Sequence, residues 1–103
     1  MATAEIAAGI CGFTTQVEAR TEGGICRLHI TSQCPDIQEL AQSLQQVDPF
    51  QEVSYRGEGP QALRLAARCC SHPACPVPVG IIKAVEVEAG LALPADVTIK
   101  VSR

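Results

Sequence analysis

Aromatic side chains are scarce in this chain of 103 residues, which contains no Trp, one Tyr and two Phe. Positive charge is also scarce, because eight Lys and Arg stand against eleven Asp and Glu and leave a net charge of −3. Proteins that bind nucleic acids need basic patches and aromatic stacking surfaces. The composition therefore argues against nucleic acid as a partner.

Long apolar runs are missing as well, since none reaches the roughly 18 residues that a membrane-spanning helix needs. The first residues, Met1–Ile6, lack the basic and apolar regions of a secretory signal. Hydrophobic residues nevertheless make up 47% of the chain and charged residues 18%, a balance that is typical of a globular core. We expect one soluble cytoplasmic domain covering residues 1–103, without membrane association.

Common catalytic fingerprints are absent too. The sequence has no Gly-x-Ser-x-Gly nucleophile motif, no phosphate-binding loop and no dinucleotide fingerprint. No small-molecule substrate can be identified from it, and an enzymatic role is not the favoured interpretation.

Periodicity predicts seven elements. Alternating apolar and polar residues predict a β-hairpin, with strands over 13–20 and 25–31 joined by a turn at Glu22-Gly23-Gly24. Apolar stripes at helical spacing and shorter alternating runs predict three helices and two further strands: helices 36–47, 60–70 and 78–89, and strands 51–56 and 97–101. We expect a small α+β domain of order β-β-α-β-α-α-β, with a mixed or antiparallel sheet and helices packed on one face.

Cysteine is abundant, with six residues in the chain. In a reducing compartment such a set points to metal binding or thiol chemistry rather than to disulfides. Antiparallel pairing around the predicted turn brings the start of the first hairpin strand beside the end of the second. We therefore expect Cys11 and Cys34 to lie close together.

Three cysteines occupy positions that are typical of a site. Cys11 lies between Gly residues, and Cys34 and Cys75 each precede a Pro at a predicted helix start. A thiolate at a helix start faces unpaired N–H groups and the positive end of the helix dipole, which favours the charged form.

The other candidates are less clear. Cys26 lies on an apolar strand face and is interpreted as a core residue, and Cys69 is expected on an exposed helix face. Cys70 continues a helical apolar stripe, which favours packing, but it also opens the segment Cys70-Ser-His72-Pro-Ala-Cys75. His72 is either a surface residue or a ligand.

These residues suggest a metal centre. Cys11, Cys34 and Cys75 supply three thiolates, and His72 or Cys70 supplies the fourth ligand of a tetrahedral zinc site. An iron–sulfur cluster accepts the same sulfur-rich set. Ligands this soft exclude Mg²⁺ and Ca²⁺ as natural occupants.

Two resemblances add to this interpretation. The segment Cys75-Pro76-Val77-Pro78 resembles the helix-start motif of TusA/SirA-like sulfur carriers, which implies a persulfide on Cys75. The whole chain, with its Gly-Ile-Cys-Gly-Phe, Ser-x-Cys and Cys-Pro-Val-Pro segments, is similar to a family of small uncharacterised cysteine-rich proteins from anaerobic microbes. A structural or interaction module without metal is the third hypothesis, and a protein partner or a homodimer is compatible with all three.

Overall fold

A computed structural model describes all 103 residues and contains four strands and four helices. In chain order they are β1 (Ala2–Ala7), β2 (Thr14–Glu22), β3 (Ile25–Ser32), α1 (Pro35–Ser43), β4 (Gln46–Val47), α2 (Pro49–Glu52), α3 (Gln61–Cys69) and α4 (Val77–Glu88). The strands form one antiparallel sheet of order β1-β2-β3-β4. The α+β class is therefore confirmed.

The β2–β3 hairpin has the predicted register. Thr15 pairs with Ser32 at one end and Glu22 with Ile25 at the other. The turn is made by Gly23 and Gly24, with φ angles of 58° and 85°. Only glycine adopts this left-handed region without strain, and two such residues in succession match the twist of the flanking strands.

All the helices lie on one face of the sheet. The apolar positions of β2 and β3 point to that face and form the core with side chains from the helices, among them Ile37, Leu40 and Ile81. The opposite face exposes polar residues such as Gln16, Glu18 and His29. Here α4 packs across β1 and β2, α1 packs on β3, and α3 contacts both α1 and α4.

The edge strand β1 was not predicted from the sequence. Three of its residues are Ala, a poor strand former, so the segment carries little local signal. Its place is set by pairing with β2, where Ala4 lies opposite Val17. The first element of the domain is thus fixed by tertiary contacts.

The predicted strand over 51–56 is wrong, since Pro49–Glu52 form the short helix α2. The Asp48 carboxylate accepts a hydrogen bond from the Phe50 backbone N–H (3.0 Å), and Pro49 occupies the first helical turn. Both features favour a helix start, and they outweigh an alternation of only a few residues.

The predicted strand over 97–101 is also wrong as an element of this fold, because the segment has no secondary structure. Val97, Ile99 and Val101 are 57%, 75% and 90% exposed. The alternation is present in the sequence, but a strand needs a partner for its backbone groups, and this one has none within the chain.

Glu52 is the one fully buried acidic side chain, with 1% of its surface exposed. Its two carboxylate oxygens accept hydrogen bonds from the backbone N–H groups of Gln61 (2.8 Å) and Ala62 (2.7 Å). These donors belong to the first turn of α3, which has no side-chain cap of its own. The end of α2 thus supplies the N-terminal cap of α3.

Gly80 sets the distance between α4 and β1. A Cβ atom built there would overlap Ile6 Cγ1 and would lie 2.7 Å from Ile6 Cδ1. Glycine costs a helix interior about 1 kcal/mol relative to alanine, so its presence here serves close packing. The contact holds the N-terminal half of α4 against the edge of the sheet.

Replacing Gly80 by Ala is expected to lower the free energy of unfolding by about 1–2 kcal/mol, because overpacking outweighs the gain in helix propensity. Combined with Ile6→Ala, the cost should be less than the sum of the two single changes by at least about 0.5 kcal/mol. Denaturant unfolding measures both effects. The control is Val79→Ala, at the exposed residue next to Gly80. Additive costs would contradict the proposed contact.

Replacing Glu52 by Gln is expected to destabilise the fold by about 1–3 kcal/mol, since an amide presents one acceptor instead of two to the start of α3. Glu58→Gln is the matched control because Glu58 is exposed and belongs to a surface ion pair. Equal costs for the two variants in urea unfolding would show that Glu52 does not cap α3.

Candidate functional site

Five of the six cysteines lie at the same end of the molecule. This end is formed by the end of β1, the start of β2, the end of β3, the first turn of α1, the end of α3 and the start of α4. The five are Cys11, Cys34, Cys69, Cys70 and Cys75. Cys26 lies in the core with 1% exposure, as its strand pattern predicted. It pairs with Val47 at the other end of the sheet.

Cys34 is the N-cap residue of α1, as predicted, although its side chain makes no capping hydrogen bond. Its backbone N–H donates to the Ser32 hydroxyl (3.1 Å), which also accepts from the buried Thr15 hydroxyl (2.9 Å). Its carbonyl accepts from the Gln38 N–H (2.9 Å). The half-buried side chain of Cys34 therefore extends from a rigid backbone.

Cys70 ends α3 beside the first turn of α1. Its N–H closes the helix on the Ala66 carbonyl (2.8 Å). The next residue, Ser71, donates to Asp36 Oδ2 from both its backbone N–H and its hydroxyl, each at 2.9 Å. Because Asp36 is two residues after Cys34, this pair of hydrogen bonds fixes Cys70 close to Cys34.

Cys75 lies just before α4, which begins at Val77 with Pro76 as its N-cap, one residue earlier than the predicted start at residue 78. Like Cys34, Cys69 and Cys70, it is half-buried and packs against the hydrophobic core. The four thiols therefore lie at the rim of the core, partly shielded from water.

The environment of Cys70 raises the pKa of its thiol. Burial, as the largest cause, and the negative charges of Cys75, Asp36, Cys69 and Cys34 together raise the pKa of Cys70 to about 11. Electrostatic influence of this kind falls off with distance, so Cys75, Cys69 and Cys34 all lie in the neighbourhood of Cys70. Cys69 is adjacent to Cys70 in sequence, whereas Cys34, Cys70 and Cys75 come from three different segments of the chain. We call these three residues the thiol group.

Cys69 was not expected to belong to this region. It is half-buried, and burial raises its pKa, with further contributions from Glu39 and Asp36 of α1. Its side chain therefore faces α1 rather than solvent. The only sequence signal was its position next to Cys70.

Cys11 and His72 differ from the thiol group because both are exposed. Cys11 lies in a tight turn in which the Gly12 N–H donates to the Gly9 carbonyl (3.0 Å). The expectation that Cys11 and Cys34 lie close together stays a prediction, although the register of β1, β2 and β3 places both residues at the same end of the sheet. His72 is close enough to Asp36 to lower the pKa of that carboxyl, after the larger effect of Ser71.

The side chains do not surround a common point. No three or more His, Cys, Asp or Glu side chains stand in an arrangement that holds a metal ion. The predicted ligands are thus brought to one end of the fold, three of them as a group, without forming a finished coordination shell.

A shallow apolar groove of about 260 Å³ lies elsewhere, between the end of α2, the start of α3 and one face of α4. Tyr55, Val79 and Ile82 line it, with Lys83 and Glu86 as its charged rim. None of the cysteines borders it. It is therefore separate from the thiol group.

Fold and site together define a class: a small α+β domain with a one-sided antiparallel sheet and a thiol-rich end. A protein-family model described as "Family of unknown function (DUF6951)" matches residues 2–101. The chain belongs to this family. Comparisons with curated proteins and with solved structures give no match. No helix of the fold is both long and apolar enough to cross a membrane.

The hydrogen bonds from Ser71 should make stability depend on pH. They lower the pKa of Asp36 in the folded state, so the stabilisation is present at neutral pH and is lost as the pH falls through that lowered value. Asp36→Asn should therefore melt at a lower temperature than the parent at pH 7, and the difference should shrink below about pH 4. Thermal unfolding at a series of pH values measures this difference in melting temperature.

The matched control is Asp96→Asn, in the exposed C-terminal segment. Its melting temperature should follow the parent at every pH. A constant difference between Asp36→Asn and the parent down to pH 2 would show that the carboxylate charge does not hold Ser71.

Proposed function

We propose that the protein binds a soft metal centre through Cys34, Cys70 and Cys75, with a single zinc ion as the first candidate and an iron–sulfur cluster as the second. The observation that carries the proposal is the convergence of these three residues from the end of β3, the end of α3 and the start of α4. Chain segments far apart in sequence thus bring three thiols to the rim of one core.

The chemistry of the group supports a soft cation. Thiolates are preferred ligands of zinc and of iron–sulfur clusters, and hard cations prefer oxygen. The ionisable groups acting on Cys70 are all acidic, namely three thiols and Asp36. No Lys or Arg side chain is among the groups acting on Cys70, so the positive charge that stabilises its thiolate would come from a bound cation, which displaces the thiol proton.

Two exposed residues near the thiol group are candidates for the fourth ligand. His72 lies between Cys70 and Cys75 on the same short segment and is exposed, and Cys11 is exposed on the neighbouring loop. We propose His72 as the fourth ligand, because its segment must move anyway to bring the thiols around one point. Residues 72–75 follow the anchored Ser71 and contain no helix or strand, which makes such a movement inexpensive.

We expect Co²⁺, a spectroscopic substitute for zinc, to bind the reduced protein anaerobically at about one ion per chain, with thiolate charge-transfer absorption. Cys34→Ser, Cys70→Ser and Cys75→Ser should each weaken binding by at least about a hundredfold. Zinc should raise the melting temperature of the parent but not of these variants, because binding free energy adds to folding free energy.

Cys26→Ala is the matched control, since it removes a thiol from the core at the opposite end of the sheet. It should retain the cobalt spectrum. His72→Ala and Cys11→Ser separate the two candidates for the fourth ligand. Absence of charge-transfer absorption, or equal weakening by Cys26→Ala, would contradict the proposal.

The sulfur-carrier hypothesis gives a different result in the same set of variants. A carrier would bind no metal, would accept a persulfide on Cys75 alone, and would lose it in Cys75→Ser while Cys34→Ser retained it. That outcome would replace the metal proposal.

A further inference from the structure

The C-terminal segment has the pattern of a strand but no partner. No backbone hydrogen bond of the fold involves residues 92–103. Val97, Ile99 and Val101 are β-branched and exposed, and they alternate with Thr98, Lys100 and Ser102. Such a segment leaves a row of backbone donors and acceptors open for pairing and exposes one apolar side.

The sheet offers a matching free edge at β1. This strand pairs with β2 on one side only, and it equals the segment 97–102 in length. Its helix-facing residues Ala2, Ala4 and Ile6 are only half-buried, although they pack against the core. The apolar layer is therefore incomplete where β1 ends the sheet, and one more strand would cover it.

The charges of the two segments are complementary. The open face beside this edge carries Glu5 on β1 and Glu18 on β2. The C-terminal segment carries Lys100 and Arg103, and it has no acidic side chain after Asp96. None of these four charged residues takes part in an ion pair within the chain.

We propose that residues 97–102 of one chain add as a strand to the free edge of β1 in a second copy, and that the second copy does the same in return. Val97, Ile99 and Val101 then join Ala2, Ala4 and Ile6 on the helix side. Lys100 lies on the open face with Glu5. Reciprocal exchange closes the assembly as a two-fold dimer in which both C-terminal segments are paired.

A second copy is favoured over the chain's own edge. Helix α4 ends beside the start of β1, where Glu88 accepts from the Thr21 N–H (2.9 Å) and contacts the Met1 amino group (3.4 Å). The segment therefore starts close to its own β1. It nevertheless stays exposed and unpaired there. Because the fold leaves the segment unpaired beside its own β1, we assign the partner edge to another molecule.

Sedimentation equilibrium of the full chain, reduced and metal-free, tests the proposal. We expect a monomer–dimer equilibrium. Ile99→Lys should weaken the dimer by at least about tenfold, because it places a charge on the side that becomes buried. Thr98→Lys is the matched control, since it adds the same charge on the open face, and it should leave the dimer intact.

A pair of charge-reversing substitutions tests whether β1 is the edge to which the C-terminal segment adds. Glu5→Lys should weaken dimerisation, and Lys100→Glu added to the same chain should restore it. Hydrogen exchange should show protection of residues 97–101 that increases with protein concentration.

Three results would overturn the proposal. A monomer at every concentration with protected residues 97–101 would mean that the segment pairs with its own sheet. A monomer with unprotected residues would mean that it does not pair. A dimer that tolerates Ile99→Lys would mean that another surface holds the two copies together.

Discussion

The sheet buries only one of its faces, and this constraint organises the rest of the molecule. The buried apolar side chains of the strands point to the same side, so the helices pack there and run roughly along the strands. Every connection then falls at one of two ends. The end of β3, the end of α3 and the start of α4 share one of them, which is why residues far apart in sequence, such as Cys34 and Cys75, both lie near Cys70.

Close contacts fix the positions of the helices relative to the sheet and to one another. Gly80 lets α4 approach β1, the carboxylate of Glu52 caps α3, and Asp36 holds the residue that follows Cys70. The backbone on either side of the thiol group is thus anchored, whereas residues 71–75 between α3 and α4 are not part of any helix or strand. A site built this way combines two firmly placed thiols with a third on an adjustable segment.

The hairpin and the start of α1 could be predicted from sequence because their signals are local: alternation around Gly23-Gly24, and Pro35 after Cys34. The strand β1 could not, because its alanines acquire strand character only by pairing with β2. The segment 97–101 shows the opposite case, in which strong alternation has no partner in the chain. For the candidate site, the proline positions indicated that Cys34 and Cys75 lie at helix starts, and α1 and α4 do begin just after them. Nothing local indicated that Asp36 would hold Ser71 and so bring Cys70 beside them.

The most direct test of the central claim is native mass spectrometry of protein purified anaerobically without an affinity metal, combined with a count of reactive thiols. The account predicts about one zinc ion or one iron–sulfur cluster per chain. It also predicts that the thiols of Cys34, Cys70 and Cys75 are protected from alkylation until the metal is removed by a chelator. Metal-free protein that stays metal-free when zinc is added, with these three thiols as reactive as exposed Cys11, would contradict it.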